Sequence, residues 1–495
     1  MSTRAATIWT CIVTSVAVFM VSLDNLVVTT ALPVIKADLG ASLQGLEWTV
    51  NAYTLTFAVL LLTGAALGDR FGRKRMFLVG LAIFTLGSAL AALAPSIEAL
   101  IAARALQGVG GAIVTPLTLT ILSAAVPPAR RGLALGIWGG VSGLAVALGP
   151  VVGGAVVEGL SWQWIFWLNV PIGVVLAPIA WRRLSESTGP KRSLDLPGLG
   201  LASVGLLGIV WGLIRGNEHG WTSLGVAGPI AAGLVLLGAF VLWERRAVEP
   251  MVPLRFFRSR AFSAANVTSL LMSFGMFGSI FLLAQFFQIV QGYSPLEAGV
   301  RTLPWTAMPI LVAPIAGVMS DRIGARPLLV AGMALMAAGL AWIAMVTSPT
   351  VAYTELIPAF VLAGVGMSLY FAPVANLVLS TVRRKEEGKA SGVNNTIREV
   401  GGVFGVAVLA SVFAAAGSYH SPQSFVDGMI PAIWVGAAAV AVAGLSAIAI
   451  PSRQAMVPDS ASLLPDPQMR RGTGMGGFGE LALMPVRCER VAREP

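Results

Sequence analysis

The chain has 495 residues, 56% of them hydrophobic and 11% charged, with a mean hydropathy of +0.81. A soluble globule carries about 25% charged residues, so too little polar surface exists here, and a polytopic membrane protein is expected. The net charge of +10 does not indicate nucleic acid, because it is spread through short loops and no compact basic domain or RNA-binding motif is visible.

Apolar runs of roughly 20 residues can cross a bilayer. They fall at 8–33, 48–68, 76–94, 98–123, 133–157, 164–181, 196–214, 226–243, 262–289, 297–319, 327–346, 354–379, 395–417 and 429–450. The expected fold is therefore all-α, with fourteen spans. The first run is too long for a cleaved signal peptide, holds Asp24 and lacks a small-residue cleavage site. Cations cluster on alternate loops: Arg70, Arg73, Lys74 and Arg75; Arg130 and Arg131; Arg182, Arg183, Lys191 and Arg192; Arg245, Arg246, Arg255, Arg258 and Arg260; Arg322 and Arg326; Arg383, Arg384, Lys385 and Lys389. The other side carries little beyond Lys36, Arg215 and Arg301. The excess of Lys and Arg on cytoplasmic loops then places both termini in the cytoplasm.

The turn between spans 2 and 3 reads Gly64-Ala-Ala-Leu-Gly-Asp69-Arg70-Phe-Gly72-Arg73-Lys74-Arg75. Gly72 sits where a tight turn needs positive φ. The pattern returns as Gly317-Val-Met-Ser-Asp321-Arg322-Ile-Gly324-Ala-Arg326, which marks an internal repeat. The repeat sets six-helix halves at 1–188 and 261–450, with spans 7 and 8 inserted in a linker at 189–260. Residues 451–495 are rich in Pro, Gly, Ser and Arg, and read as a disordered cytoplasmic tail. Cys11 and Cys488 make no disulfide framework or metal set, and His219 and His420 read as solvated loop residues. No nucleophile, base or metal constellation suggests an enzyme, and two halves around a midplane cavity suggest a transporter.

Ionisable groups inside spans are functional candidates by default. Asp24 lies in span 1 beside Asn25. Span 4 holds Arg104, which stays charged in a protein, and Gln107 one helical step away. Span 5 holds Gly149-Pro150-Val-Val-Gly153-Gly154, a small-residue face for close helix packing. Cavity-wall candidates are Asn25, Tyr53, Gln107, Gln285, Gln288, Trp305, Tyr370, Asn376, Asn394 and Asn395, each of which reads equally as a packing residue. Arg398 and Glu399 fall near the cytoplasmic end of span 13, as a gate pair or a substrate pair.

The Asp69 turn, the Arg104 stretch and the Gly149-Pro150 stretch resemble three signature motifs of the major facilitator superfamily, the third being associated with proton-coupled antiporters. Trp162-Gln-Trp164-Ile-Phe166-Trp-Leu-Asn169-Val-Pro171-Ile-Gly173 resembles the span 6 entry of the fourteen-span drug:proton antiporters. Trp48-Thr-Val-Asn-Ala-Tyr53, Gly292-Tyr-Ser-Pro295-Leu-Glu-Ala-Gly299 and Thr396-Ile-Arg398-Glu399-Val-Gly401-Gly402-Val-Phe-Gly405 are similar to that family too. Two departures replace an expected glycine by alanine, at Ala65 and Ala145. The resemblance covers residues 8–450. It implies alternating access, with a small molecule, apolar or cationic, leaving as protons enter through Asp24 with Arg104 as modulator. A charged Asp24 that binds a cationic drug directly is the other expectation.

The cytoplasmic turns, with Asp69, Arg70, Gly72, Arg73, Asp321, Arg322 and Arg326, then read as a gate latch. Asp69 is expected to meet a helix N-terminus of the other half, and Arg73 to pair with Glu386, Glu387 or Glu399. No cofactor is expected, and without a nucleotide-binding loop the driving force is the proton gradient. A monomer in a bacterial cytoplasmic membrane is expected, and Arg, Ala and Gly usage fits a GC-rich genome. A transporter of a defined metabolite, siderophore or amino acid, and a non-transporting receptor or scaffold, are the competing readings.

Overall fold

The computed structural model describes residues 3–126, 131–189, 194–383 and 386–451. The expected tail, apart from Pro451, lies outside them, as do Arg130, Lys191, Arg192, Arg384 and Lys385. The described chain is helical: α1 Thr3–Leu39, α2 Leu43–Phe71, α3 Arg73–Ala92, α4 Ile97–Ala125, α5 Arg131–Gly159, α6 Trp164–Trp167, α7 Asn169–Arg183, α8 Leu196–His219 and α9 Leu224–Arg246. There follow α10 Arg260–Gln285, α11 Pro295–Arg301, α12 Leu303–Thr306, α13 Met308–Ile323, α14 Ala325–Val346, α15 Tyr353–Ser380, α16 Glu387–Ala416 and α17 Pro422–Ile448.

Among the described residues, thirteen helical stretches are long and apolar enough to cross a membrane, counting α6–α7 and α11–α13 as one each. The run expected at 133–157 forms α5, of which Ala147–Gly159 is a shorter apolar stretch. Span 10, expected as one run, is broken at Thr302 and Ala307. Pro304 and Pro309 follow those breaks; each lacks an N–H and suits a helix start rather than an interior.

Serine sets many of the helix starts. The side chains of Ser42, Ser96, Ser259 and Ser421 accept from Gly45, Ala99, Phe262 and Ser424 N–H at 3.1–3.3 Å, satisfying donors that a helix start leaves orphaned. Ser294 and Glu297 form a reciprocal capping box at α11, with Pro295 beside it. Gly72 at φ 105° separates α2 from α3, and Gly324 at φ 85° separates α13 from α14. Both copies of the charged turn thus pivot on a glycine in a conformation that other residues rarely adopt.

Helices α1–α7 pack mainly on one another, α2 and α3 against α4 and α1 against α5; α10–α17 do likewise, α10 against α16 and α14 against α15. The two banks meet along α2–α16 and α5–α11. Helices α8 and α9 pair with each other, and α8 touches both α2 and α16. An apolar cluster of Leu55, Val59, Leu206, Val210, Ile214, Val403 and Ala407 seats it there. Helix α9 buries only Val226, Gly233 and Glu244, leaving an apolar flank suited to lipid.

Candidate functional site

Asp24 of α1 and Arg104 of α4 are each 1% exposed. Arg104 donates from Nη1 to Asp24 Oδ2 at 2.5 Å. Gln107, on the same face three residues along, donates to Asp24 Oδ1 at 2.7 Å, and its own oxygen accepts from Arg104 at 2.7 Å. Asn169, the first residue of α7, donates to Asp24 Oδ1 at 2.8 Å and to Ser88 Oγ at 3.1 Å. The Arg104 Nε reaches the Thr49 carbonyl at 3.3 Å, and its guanidinium carbon lies 4.2 Å from the Tyr53 ring centroid. Asp24 is thus held by a cation and two amides, as a buried carboxylate requires.

Between the banks lies a cavity of about 1080 Å³, comparable to the larger small-molecule sites. Asn25, Tyr53, Trp305, Asn376, Asn395, Arg398 and Glu399 line it, with much aromatic and aliphatic surface. Asp24 and Arg104 do not line it; Tyr53 does, and stands between them and the cavity. In this state both Asp24 carboxylate oxygens are engaged and the group is enclosed, away from a cargo in the cavity.

Five other candidates lie off the cavity wall. Gln107 belongs to the Asp24 network. Gln285 accepts from the Tyr419 hydroxyl at 2.5 Å. Gln288 donates to the Thr30 carbonyl at 2.8 Å and so ties the two banks. Asn394 donates to Asn266 and Ser269, and Tyr370 is buried off the wall.

The glycines of the span 5 motif are contact points. A Cβ on Gly149 would meet Leu26 at 2.7 Å, and one on Gly153 would meet the Val27 carbonyl at 2.8 Å. One on Gly154 would overlap the Pro295 carbonyl of α11, and one on Gly299 the Pro150 carbonyl. Close approach of α5 to α11 therefore needs glycine on both sides. The same end is tied by Leu296 N–H to Glu158 at 3.1 Å and by Lys36, whose ammonium sits 3.0 Å from the Tyr419 ring centroid. Burial, and secondarily the nearby Glu47 charge, raise the Tyr419 phenol above its usual range, so it stays a neutral donor. The cavity extends instead toward the Asp69 end, through Gly140, Gly143 and Gly317.

The Asp69 turn departs from its expected pairing. Asp69 Oδ1 takes Arg73 Nε at 3.0 Å and Nη2 at 2.8 Å, within the turn itself. Arg73 is not paired with Glu386, Glu387 or Glu399: Glu386 binds Arg255 and Arg383, and Glu399 binds Arg398. The four-residue spacing of Asp69 and Arg73 already brings them together. The acid at a helix N-terminus is Glu186, which accepts from Lys74 and Arg75 N–H at 2.9 and 3.2 Å, where the helix dipole favours an anion. It sits just past α7, in the same bank. Asp69 O accepts from Gly189 N–H, and Ser187 O accepts from Arg73 N–H, so residues 186–189 clasp the turn. Arg70 lies over the Phe71 ring, Arg322 is exposed and Arg326 partly so. The Asp321 side chain lies outside the described residues. Arg398 and Glu399 were expected near the end of their span; they lie well inside α16, on the cavity wall.

Long apolar helices in two banks around a polar-studded cavity, with an enclosed ion pair beside it, define a membrane carrier. The chain belongs to the major facilitator superfamily, whose profile matches residues 14–406. It is 36% identical over 427 residues to the "Tetracenomycin C resistance and export protein" of Streptomyces glaucescens, covering 86% of this chain and 79% of that one. It is 39% identical to the "Cephamycin export protein CmcT" of Amycolatopsis lactamdurans, over 82% of this chain and 84% of that one. It is 36% identical to the "Puromycin resistance protein pur8" of Streptomyces alboniger, over 89% and 90%. A solved peptide transporter POT in complex with sulfate superposes with a TM-score of 0.65 at 16% identity, covering 89% of this chain and 94% of that one, a likeness of fold. The chain is a multi-pass protein of the bacterial cell membrane.

Proposed function

We propose that this chain exports an antibiotic-like small molecule with a large apolar surface, in exchange for protons, by alternating access. The observation that carries the reading is the similarity, over 82–89% of the chain, to proteins named for antibiotic export and resistance. In this reading α5 is a full span, making fourteen, and both termini face the cytoplasm with the Asp69 turn. The cavity then reaches toward the cytoplasm and is closed on the outer side, as a carrier awaiting cargo requires.

The proton step uses the Asp24 network. Three donors converge on the carboxylate here, Arg104 on one oxygen and Gln107 and Asn169 on the other. A rearrangement that withdraws a donor on α4 or α7 frees an oxygen to carry the proton. Tyr53 separates proton site from cargo site, so coupling runs through movement of the α1, α2 and α4 network rather than through shared contact.

A susceptibility panel tests the export reading. Expression in a strain lacking its own pumps should raise the inhibitory concentration of several aromatic antibiotics, and dissipating the proton gradient should abolish the difference. An unchanged panel would overturn export of antibiotics and favour a defined metabolite as cargo; transport-independent signalling would favour a receptor.

A further inference from the structure

We propose that Arg398 and Glu399 are the polar contact of the cargo cavity and that they select an amphoteric cargo, an apolar body carrying both an ammonium and an acid group. The proposal rests on the export reading above and deepens it. Among the described residues lining the cavity, these two are the charged ones. They lie roughly 17 Å along α16 from Glu387, at 1.5 Å per residue, at the level of the aromatic wall. Arg398 Nη2 donates to Glu399 Oε1 at 2.9 Å, with side-chain exposures of 30% and 5%.

The pair is incompletely satisfied. Glu399 Oε2 is buried without a hydrogen-bond partner, and so is the Trp305 indole N–H on α12 of the same bank. Trp305 also lines the cavity. The cavity wall therefore holds an unused acceptor and an unused donor, covered as they stand and brought to a ligand by rotation of their side chains, with Tyr53, Phe360 and Phe371 among the aromatic surfaces around them. Buried groups left unpaired are costly, so these are places where a ligand gains most.

Charge decides the class. A purely cationic cargo that takes Glu399 from Arg398 strands the guanidinium. A purely anionic cargo that takes Arg398 strands the carboxylate. Breaking one side of a buried pair is penalised because it leaves an uncompensated charge. An amphoteric cargo exchanges one internal ion pair for two external ones and strands nothing. The enclosed Asp24–Arg104 pair does not compete for it, being off the cavity wall.

The test uses the full chain in lipid nanodiscs and three forms of one aromatic core. These are norfloxacin (an amine and a carboxylic acid), its methyl ester (amine only) and its N-acetyl derivative (acid only), each titrated near pH 7. Wild type should bind the amphoteric form about tenfold more tightly than either relative. Arg398→Gln should move the preference to the ester and Glu399→Gln to the N-acetyl form. The double variant Arg398→Gln/Glu399→Gln removes both charges, strands neither, and should bind all three within about twofold. Equal binding of the three by wild type, a preference that survives the double variant, or no binding of any of them would overturn the proposal. Export itself is read separately by the susceptibility panel.

Discussion

Asp24 is held by three side chains from two helices, and each is present for a physical reason. Arg104 supplies the countercharge, while Gln107 and Asn169 fill the second carboxylate oxygen. Asp24→Asn keeps the volume but strands the Arg104 charge, a loss of about 3–5 kcal/mol for a broken buried pair. Proton-driven uptake into everted vesicles should disappear and the melting temperature should fall. Adding Arg104→Gln should restore much of the stability without restoring uptake; uptake that persists in Asp24→Asn would remove this carboxylate from the proton step. Asp24, Arg104 and Gln107 are legible in sequence as polar groups inside apolar runs. Their mutual contact is not, because it depends on how α1 and α4 cross. The role of Glu186 is not legible for a related reason: it is one acid in a polar loop, and only the fold brings it over the start of α3.

At the scale of elements, α5 and α11 are held together by mutual close approach. Gly154 faces the Pro295 carbonyl, and Gly299 faces the Pro150 carbonyl. Gly154→Leu forces the two helices apart, and overpacking of this kind costs about 1–3 kcal/mol. The end where they meet should then spend more time open, which spin-label distances between α5 and α11 would show as a longer population; an unchanged distribution would mean that the contact does not control closure. Helix starts were legible because serine and proline act locally, as at Ser294-Pro295. The break of span 10 was less so, since Pro304 and Pro309 could equally have kinked one continuous helix. The depth of Arg398 and Glu399 was misplaced because α16 begins at Glu387, earlier than the apolar run suggested.

At the scale of the molecule, the seam between the banks is tied at the end away from the Asp69 turn by Gln288, Glu158 and Lys36. The Asp69 turn is clasped within its own bank. Asp69 and Arg73 pair within the turn itself, away from the cavity wall. Asp69→Asn should therefore leave the fold and cargo affinity within about twofold of wild type while slowing turnover. Lost binding with normal conformational switching would refute that division of labour. The repeated turn made the architecture legible from sequence, because a positive-φ glycine beside cations is conspicuous between apolar helices. The cavity was not, because its walls are ordinary apolar residues and only assembly creates the space.

Helix α8 is hydrogen-bonded to α16, Asn217 donating to the Ser411 carbonyl, and rests on α2 through the apolar Trp48, Leu55 and Val59. In lipid, separating such surfaces exchanges them for acyl chains at little net gain or loss. A rocking motion that parts α2 from α16 therefore slides α2 over α8 as over a greased bearing, and the inserted hairpin follows the α16 bank to which Asn217 ties it.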